Sequence, residues 1–434
     1  MKNYINIVIS FLTRIITSLC GFIVYGILSR NLSSDDFGVF TFTMVLISQL
    51  TILCTGGLFL ISSKKIATLK KNTLKIKIFE SFFINISLFS LIFFSLNQFT
   101  DVLNYLKINQ LTLIIFCIVF VSSFHRIISD YFRAVNRFIY FSLFNSIGSG
   151  AGSLMWIFFT FSIITLKKQN LLSVPSVFTY YLISSISVTA LFFLIHRNVL
   201  TRLSKLFRNI SFSGYMETKN FLFQGYSLML INITAGIINF FPAFYIFYFL
   251  SSEQTGSFLS AQKIAMLILV PLSIVDISIP QTISKNFDNA KFFLPYILKV
   301  SFIRFCMALP IFSSIILFPE SIIILVYGQE FIHIESILKL LSISLVPAFI
   351  LGPTRQLMTF TNNLLKLFFT DLTFIILTIT LIIIFKNSID FETFVNYYVL
   401  VNVLRFSVYF IFCVYFFRAK STFSLNFLKN ETKN

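Results

Sequence analysis

Apolar stretches of about 20 residues recur along the whole chain, and each is long enough to cross a bilayer core about 30 Å thick. In lipid, only helices and closed barrels satisfy every backbone N–H and C=O. Barrel strands would be about 10 residues long with period-two alternation, a pattern this sequence lacks. The expected fold class is therefore an all-α integral membrane protein with about twelve transmembrane helices, one for each stretch. The expected spans are 5–28, 38–62, 78–97, 110–129, 139–166 and 175–195, then 218–247, 257–280, 296–318, 335–352, 365–385 and 394–417. Composition agrees. Apolar residues make up 57% and charged residues only 12%, about half the charged share of an ordinary soluble domain.

The first stretch, Ile5 to Leu28, is too long for a signal peptide and has no small-residue cleavage site, so it reads as the first span. The five Cys (Cys20, Cys54, Cys117, Cys306 and Cys413) all fall in apolar stretches without metal-ligand spacing. They read as small packing residues, with no disulfide framework and no metal. The longest polar connections, 63–77 and 196–217, are too short to form an extramembrane domain.

The 34 Lys and Arg orient the chain. With the N-terminus in the cytoplasm, 24 lie on the cytoplasmic side, 5 on the opposite side and 5 deeper inside spans. This asymmetry follows the positive-inside rule and places both termini in the cytoplasm. It also accounts for most of the net charge of +18 without nucleic acid. The run from Lys64 to Lys77 can attract anionic lipid, although its simpler role is to anchor topology.

An internal repeat divides the chain. Leu32-Ser33-Ser34-Asp35-Asp36-Phe37-Gly38-Val39-Phe40 follows the first span, and Leu250-Ser251-Ser252-Glu253-Gln254-Thr255-Gly256-Ser257-Phe258 follows the seventh. Both copies occupy the same joint of a six-span half. The expected domains are thus an N-terminal lobe, 1–209, and a C-terminal lobe, 210–434. An even number of spans per half makes the halves parallel, and in transporters built this way the substrate path lies between them.

Charges inside a membrane span are costly and mark candidate sites. Arg14 and Arg405 lie roughly 14–16 Å from the nearer span end, and Arg304 about 12 Å, at 1.5 Å per residue. Lys263 and Lys339 are shallower and can snorkel to the interface. Ser10, Arg14, Ser18, Gly21 and Tyr25 share one face of the first helix, and Tyr398, Asn402, Arg405 and Tyr409 share one face of the last. Gln224, Asn232 and Asn239 add uncharged polar groups to the seventh. The candidate substrate-binding, lumen-facing residues are Arg14, Arg304, Arg405, Lys263, Asn232 and Asn239, with buried helix-to-helix hydrogen bonding as the alternative role. Asp276 and Asp371 are candidates for ion coupling, for pairing with the Arg set, or for ordinary interfacial solvation. His125, His196 and His333 form no metal cluster, and there is no P-loop, nucleophile elbow or catalytic carboxylate pair. The chain is expected to use no cofactor and to be no enzyme.

Several of these residues resemble a known family. The run from Arg14 to Ala67 is similar to the first two helices of polysaccharide-repeat flippases, through Arg14, Ser29-Arg30-Asn31-Leu32-Ser33, Asp36-Phe37-Gly38 and Ser62-Ser63-Lys64-Lys65. Gly256-Ser257-Phe258, Ala261-Gln262-Lys263-Ile264, Pro271 and Pro280 look like the corresponding second-half run, and Leu325-Val326-Tyr327-Gly328 to Phe331 resembles the approach to the tenth helix. The family is the Wzx-type O-antigen flippases of the multidrug/oligosaccharidyl-lipid/polysaccharide exporter superfamily.

The resemblance implies two six-helix lobes around a central, V-shaped cavity in the bacterial inner (cytoplasmic) membrane. It also implies alternating-access transfer of an undecaprenyl-diphosphate-linked oligosaccharide from the cytoplasmic to the periplasmic leaflet. The implied partners are that lipid-linked oligosaccharide, membrane lipids, a polysaccharide polymerase and a chain-length regulator, with the protein itself a monomer. A cationic lumen fits such cargo, because the planar guanidinium of Arg can donate two hydrogen bonds to one phosphate. Two readings compete. A drug/cation antiporter of the same superfamily favours acidic cavity residues, and a polymerase or ligase favours a large outer loop.

Overall fold

The computed structural model describes residues 2–55, 85–87, 111–134, 153–195, 215–272, 275, 279, 282, 290–360, 364–385 and 390–418. Their regular structure is entirely helical. The helices are α1 (Lys2–Ser29), α2 (Ser34–Thr55), α3 (Thr112–Ala134), α4 (Ser153–Lys168), α5 (Val174–Ile195), α6 (Tyr215–Tyr245) and α7 (Ser252–Met266). After these come α8 (Ala290–Leu317), α9 (Pro319–Val326), α10 (Glu335–Ser344), α11 (Val346–Phe360), α12 (Leu364–Phe385) and α13 (Phe391–Arg418). Every expected span except 78–97 coincides at least in part with one of these helices; of 78–97, only 85–87 are among the described residues. Six described segments are long and apolar enough to cross a membrane: 34–55, 112–129, 174–191, 295–317, 329–355 and 391–412. The chain is thus an all-α integral membrane protein, as the length of its apolar stretches predicts.

Proline explains two departures from the expected spans. The seventh is bent by 47° between Met229–Ile238 and Phe240–Leu250. Pro242 lies inside this stretch. It has no N–H for the carbonyl of Ile238, and its ring crowds that oxygen. A five-residue π turn, Ile246–Leu250, follows. The tenth span, expected as one helix over 335–352, is two. The Leu345 N–H turns back to the Ser342 carbonyl, and the ladder restarts with Phe349 N–H on Leu345 O at 2.9 Å. Pro347, in the first turn of α11, is tolerated there because no intrahelical donor is needed at that position.

Two compact units emerge from the contacts. One comprises Met1–Leu259 with Ile323–Ile332, and the other Ser260–Ile322 with His333–Asn434. In the first, α1 packs on α4, α2 on α3 and α6, and α5 on α3 and α4. Aromatic contacts fill these seams: Phe42 stacks on Phe247 with centroids 4.2 Å apart, and Phe159 meets Tyr181 edge-on at 5.0 Å. In the second unit α13 packs against α10, α11 and α12, and α8 against α10 and α11.

Polarity along the helices is inverted relative to a soluble protein. On α8, Phe302 is 68% exposed, while Arg304 in the same turn is 4% exposed. Apolar side chains facing outward and charges facing inward suit a hydrocarbon surround.

The internal repeat has a structural basis. The Ser33 hydroxyl accepts the Asp36 N–H at 3.1 Å, and the Ser251 hydroxyl accepts the Gln254 N–H at 3.1 Å. Each copy therefore opens its helix with the same serine N-cap. The two copies also touch. Ser252 donates its hydroxyl to the Asp35 carboxylate, and the Gly38 backbone lies against the Ser252 carbonyl. Gly38 and Gly256, equivalent in the repeat, face each other: a Cβ on Gly256 would sit 3.3 Å from Gly38 Cα.

The Leu325-to-Phe331 motif is held by the run that ends α1. Arg30 donates to the carbonyls of Ile324 and Leu325 at 3.1 Å each, covering the bare C-terminal end of α9. Gly328, at φ +101, closes that end with its N–H on the Ile324 carbonyl, a conformation that suits glycine. Tyr25, Phe37, Tyr327 and Phe331 pack together beneath it, with centroids 5.5 Å apart for Phe37 and Phe331.

Candidate functional site

The polar stripe of the last helix forms a buried face. Tyr398, Asn402, Arg405 and Tyr409 are each no more than 6% exposed. They point inward because α13 is enclosed by α10, α11 and α12. Across from them lies Asp371 on α12, which is fully buried. Its Oδ1 accepts the Tyr409 hydroxyl and forms an ion pair with Arg405 Nε, 3.1 Å away. Its Oδ2 accepts from Arg355 Nη2 at 3.2 Å. Arg405 Nε also donates to the Tyr409 oxygen at 3.0 Å, and its guanidinium lies 5.7 Å from the Tyr409 ring centroid. Tyr398 extends the network through Asn402 and Gln262.

The charge balance of this cluster is the chemically telling feature. Two guanidiniums face one carboxylate, so the three groups together carry one positive charge in excess. Asp371 and Arg405 are sealed inside, whereas the Arg355 side chain is 26% exposed. Interfacial solvation, one of the roles considered for Asp371, does not describe a carboxylate with no exposed surface; pairing with the Arg set does.

Arg304 is engaged differently. Pro353 lies within α11 and has no N–H for the carbonyl of Phe349, four residues before it. Arg304 Nε donates to that oxygen at 2.9 Å, and Nη2 reaches the Ala348 carbonyl at 3.3 Å. This is the helix-to-helix hydrogen bonding considered as its alternative role, and it fills the gap that Pro353 leaves in the α11 ladder, two residues from Arg355. Arg304→Ala should leave the Phe349 oxygen without its donor and cost about 1–3 kcal/mol. Adding Pro353→Ala restores a backbone N–H and should recover part of that loss. Thermal unfolding of the purified single and double variants measures the coupling, and strictly additive effects would overturn it.

The remaining candidates divide. Lys263 is half-buried on α7, and Asn232 is half-buried on α6. Arg14 lies in α1 and Asn239 in α6, but both side chains fall outside the described residues, as does Asp276 altogether. In the sequence, Arg355 is one of the 24 basic residues that the positive-inside asymmetry places on the cytoplasmic side, at a span end. The available signal was a facing pair: Arg355 and Asp371 sit near the same expected end of consecutive spans.

Solved structures of similar fold cover nearly the whole chain. An inward-facing MATE family multidrug resistance transporter of the MOP superfamily is 14% identical, with TM-score 0.64, over 96% of this chain and 100% of that one. An outward-facing MATE family transporter of the same superfamily is 14% identical, with TM-score 0.67, over 95% of this chain and 96% of that one. The lipid II flippase MurJ in an inward closed conformation is 14% identical, with TM-score 0.67, over 94% of this chain and 87% of that one. At these identities the likeness establishes the fold. No curated protein sequence matches the chain. The family described as "Polysaccharide biosynthesis protein" matches residues 5–287, well over half the length. The chain belongs to that polysaccharide biosynthesis protein family.

Proposed function

We propose that the chain is a flippase for undecaprenyl-diphosphate-linked oligosaccharide repeat units, O-antigen or a related glycan. It moves them from the cytoplasmic to the periplasmic leaflet of the bacterial inner membrane by alternating access between six-helix lobes 1–209 and 210–434. The observation that carries this reading is the Arg355–Asp371–Arg405 cluster, two guanidiniums to one carboxylate, with Asp371 and Arg405 buried among apolar helices. A lipid diphosphate is an anion that cannot cross hydrocarbon unaided, and paired guanidiniums match its oxygens. The family match to polysaccharide biosynthesis and the structural likeness to a lipid II flippase support the same substrate class. In this reading Arg14, Arg304, Arg405, Lys263, Asn232 and Asn239 line the polar path, and Arg304 also holds α11 through the Ala348 and Phe349 carbonyls. Asp276 and Asp371 are the candidates for ion coupling. Membrane lipids surround a monomer whose termini are both cytoplasmic and whose product passes to a polymerase and chain-length regulator. No cofactor enters the reading.

Deletion of the gene should trap lipid-linked single repeats on the inner leaflet and remove surface glycan. Radiolabelled repeat units that remain accessible only from the cytoplasmic face of membrane vesicles would show this. Single repeats reaching the surface lipopolysaccharide of the deletion strain would reject the flippase reading in favour of a polymerase. A drug/cation antiporter is the second reading, favoured by the MATE multidrug transporters of similar fold and by the buried carboxylate Asp371. It predicts normal surface glycan in the deletion strain and lost resistance to cationic drugs.

A further inference from the structure

We propose that residues 323–332, the end of α9 and the turn after it, form a latch on the outer side of the protein, with Arg30 as its bolt. While shut against α1 and α2 the latch keeps the outer side closed, and its release is the step that lets a carried molecule leave there. The inference rests on the flippase reading above and deepens it.

The latch comes from the second half of the sequence yet packs with the first. Ile323–Ile332 falls in one compact unit with α1 and α2, whereas Ile322 before it and His333 after it fall in the other. Arg30 donates to the Ile324 and Leu325 carbonyls at 3.1 Å each, and the Ser29 hydroxyl donates to the Tyr327 carbonyl at 3.3 Å. Gly26 admits the chain: a Cβ there would stand 2.3 Å from the Val326 oxygen. Phe37 covers the turn, its ring 6.3 Å from that of Tyr327 and 5.5 Å from that of Phe331. Ser252, also from the second half, is held at the start of α2 by the Asp35 carboxylate.

Two features mark this contact as one made to open. First, Arg30 sits where basic residues are scarce. It is one of the five on the outer side of the expected topology, where the positive-inside rule gives no reason for a cation. The carboxyl end of α9 does give one, because its last carbonyls lack helical donors and attract positive charge. Second, the bolt withdraws into water. Arg30 and Leu325 are both exposed, so on release the guanidinium and the α9 carbonyls regain hydration and no buried charge is stranded. The sealed Asp371–Arg405 pair is the opposite case, since parting it would leave a carboxylate without solvent. Alternating access needs contacts of the first kind, because two conformations exchange readily only when neither is heavily favoured.

The test uses the full-length protein in membrane vesicles. Asp35→Cys with Ser252→Cys places two thiols across the shut joint. Oxidation should cut delivery of radiolabelled repeat units to the outer leaflet by about tenfold or more, and reduction should restore it. Each single variant controls for the five native cysteines. Ser29→Cys reports on the latch directly, because Ser29 is 4% exposed while the latch is shut. An impermeant maleimide added from the outer side should label it about tenfold faster once Arg30→Ala removes the bolt. Arg30→Lys, which keeps a donor cation, should fall between. Full delivery by the double variant, with its cross-link confirmed on a gel, overturns the latch, and so does labelling that Arg30→Ala leaves unchanged. If Arg30→Ala does not accumulate, the cross-link decides. The flippase reading fails separately. Normal surface glycan in the deletion strain rejects that reading whatever the labelling shows. Lost glycan in that strain, with full delivery by the cross-linked protein, leaves the flippase standing and removes only the latch.

Discussion

Arg405→Ala is expected to lower the stability of the protein by about 3 kcal/mol, because it strips a buried carboxylate of one of its two guanidinium partners. Asp371 has no exposed surface through which water could replace the lost contact. The remaining Arg355 bond at 3.2 Å holds the cost toward the lower end of what breaking a buried pair usually entails. The Tyr409 hydroxyl, which accepts from Arg405 at 3.0 Å, loses its donor at the same time. Removing the carboxylate as well, in Asp371→Ala with Arg405→Ala, should restore much of the stability, since no uncompensated carboxylate is then left inside. Thermal unfolding of both variants beside the wild type in detergent, followed by circular dichroism, reads the coupling. A single variant as stable as the wild type would show that the pair carries no weight. The consequence for functional assays is practical. Loss of surface glycan in Arg405→Ala mixes lost stability with lost transport, and Arg405→Lys, which keeps charge but not the planar fork, is the cleaner probe of substrate contact.

The second large effect lies at the repeat contact. A Cβ placed on Gly38 would stand 1.8 Å from the Ser252 carbonyl oxygen, a main-chain atom that no rotamer change can move. Gly38→Ala should therefore force α2 and the start of α7 apart. The expected loss exceeds the 1–3 kcal/mol typical of overpacking, about 4 kcal/mol or more. The shift also strains the Ser252-to-Asp35 hydrogen bond. Gly21→Ala is the matched control: its Cβ would meet nothing within 4 Å, and removing a mid-helix glycine should be neutral or stabilise by about 0.5–1 kcal/mol. Membrane abundance of the two variants, compared by quantitative immunoblot, separates them. Equal abundance would mean that the crossing of Gly38 with Ser252 is not maintained in the membrane.

These two positions show how differently sequence and structure speak about this protein. Apolar length alone determined the all-α membrane class, because a bilayer core admits few backbone solutions, and every described helix agrees with it. The repeat was also legible. Ser33 and Ser251 cap their helices in the same way because a serine before a helix offers its hydroxyl to the same backbone donor wherever it occurs. Helical periodicity, likewise local, put Tyr398, Asn402, Arg405 and Tyr409 on one face.

Pairing was not local. Arg355 and Asp371 share one expected span end, but nothing in the spacing along the chain says that Arg405 meets them, and Arg355 read as one more topology-setting charge. Depth made Arg304 a lumen candidate, but depth does not reveal that a proline on another helix has left a carbonyl for it to meet. Periodicity sets which way a side chain points from its own helix, and bilayer thickness sets how deep it lies. What it faces depends on which helix packs alongside and at what register. That is decided by close packing among residues far apart in sequence, so only the tertiary structure could show one carboxylate shared between two guanidiniums.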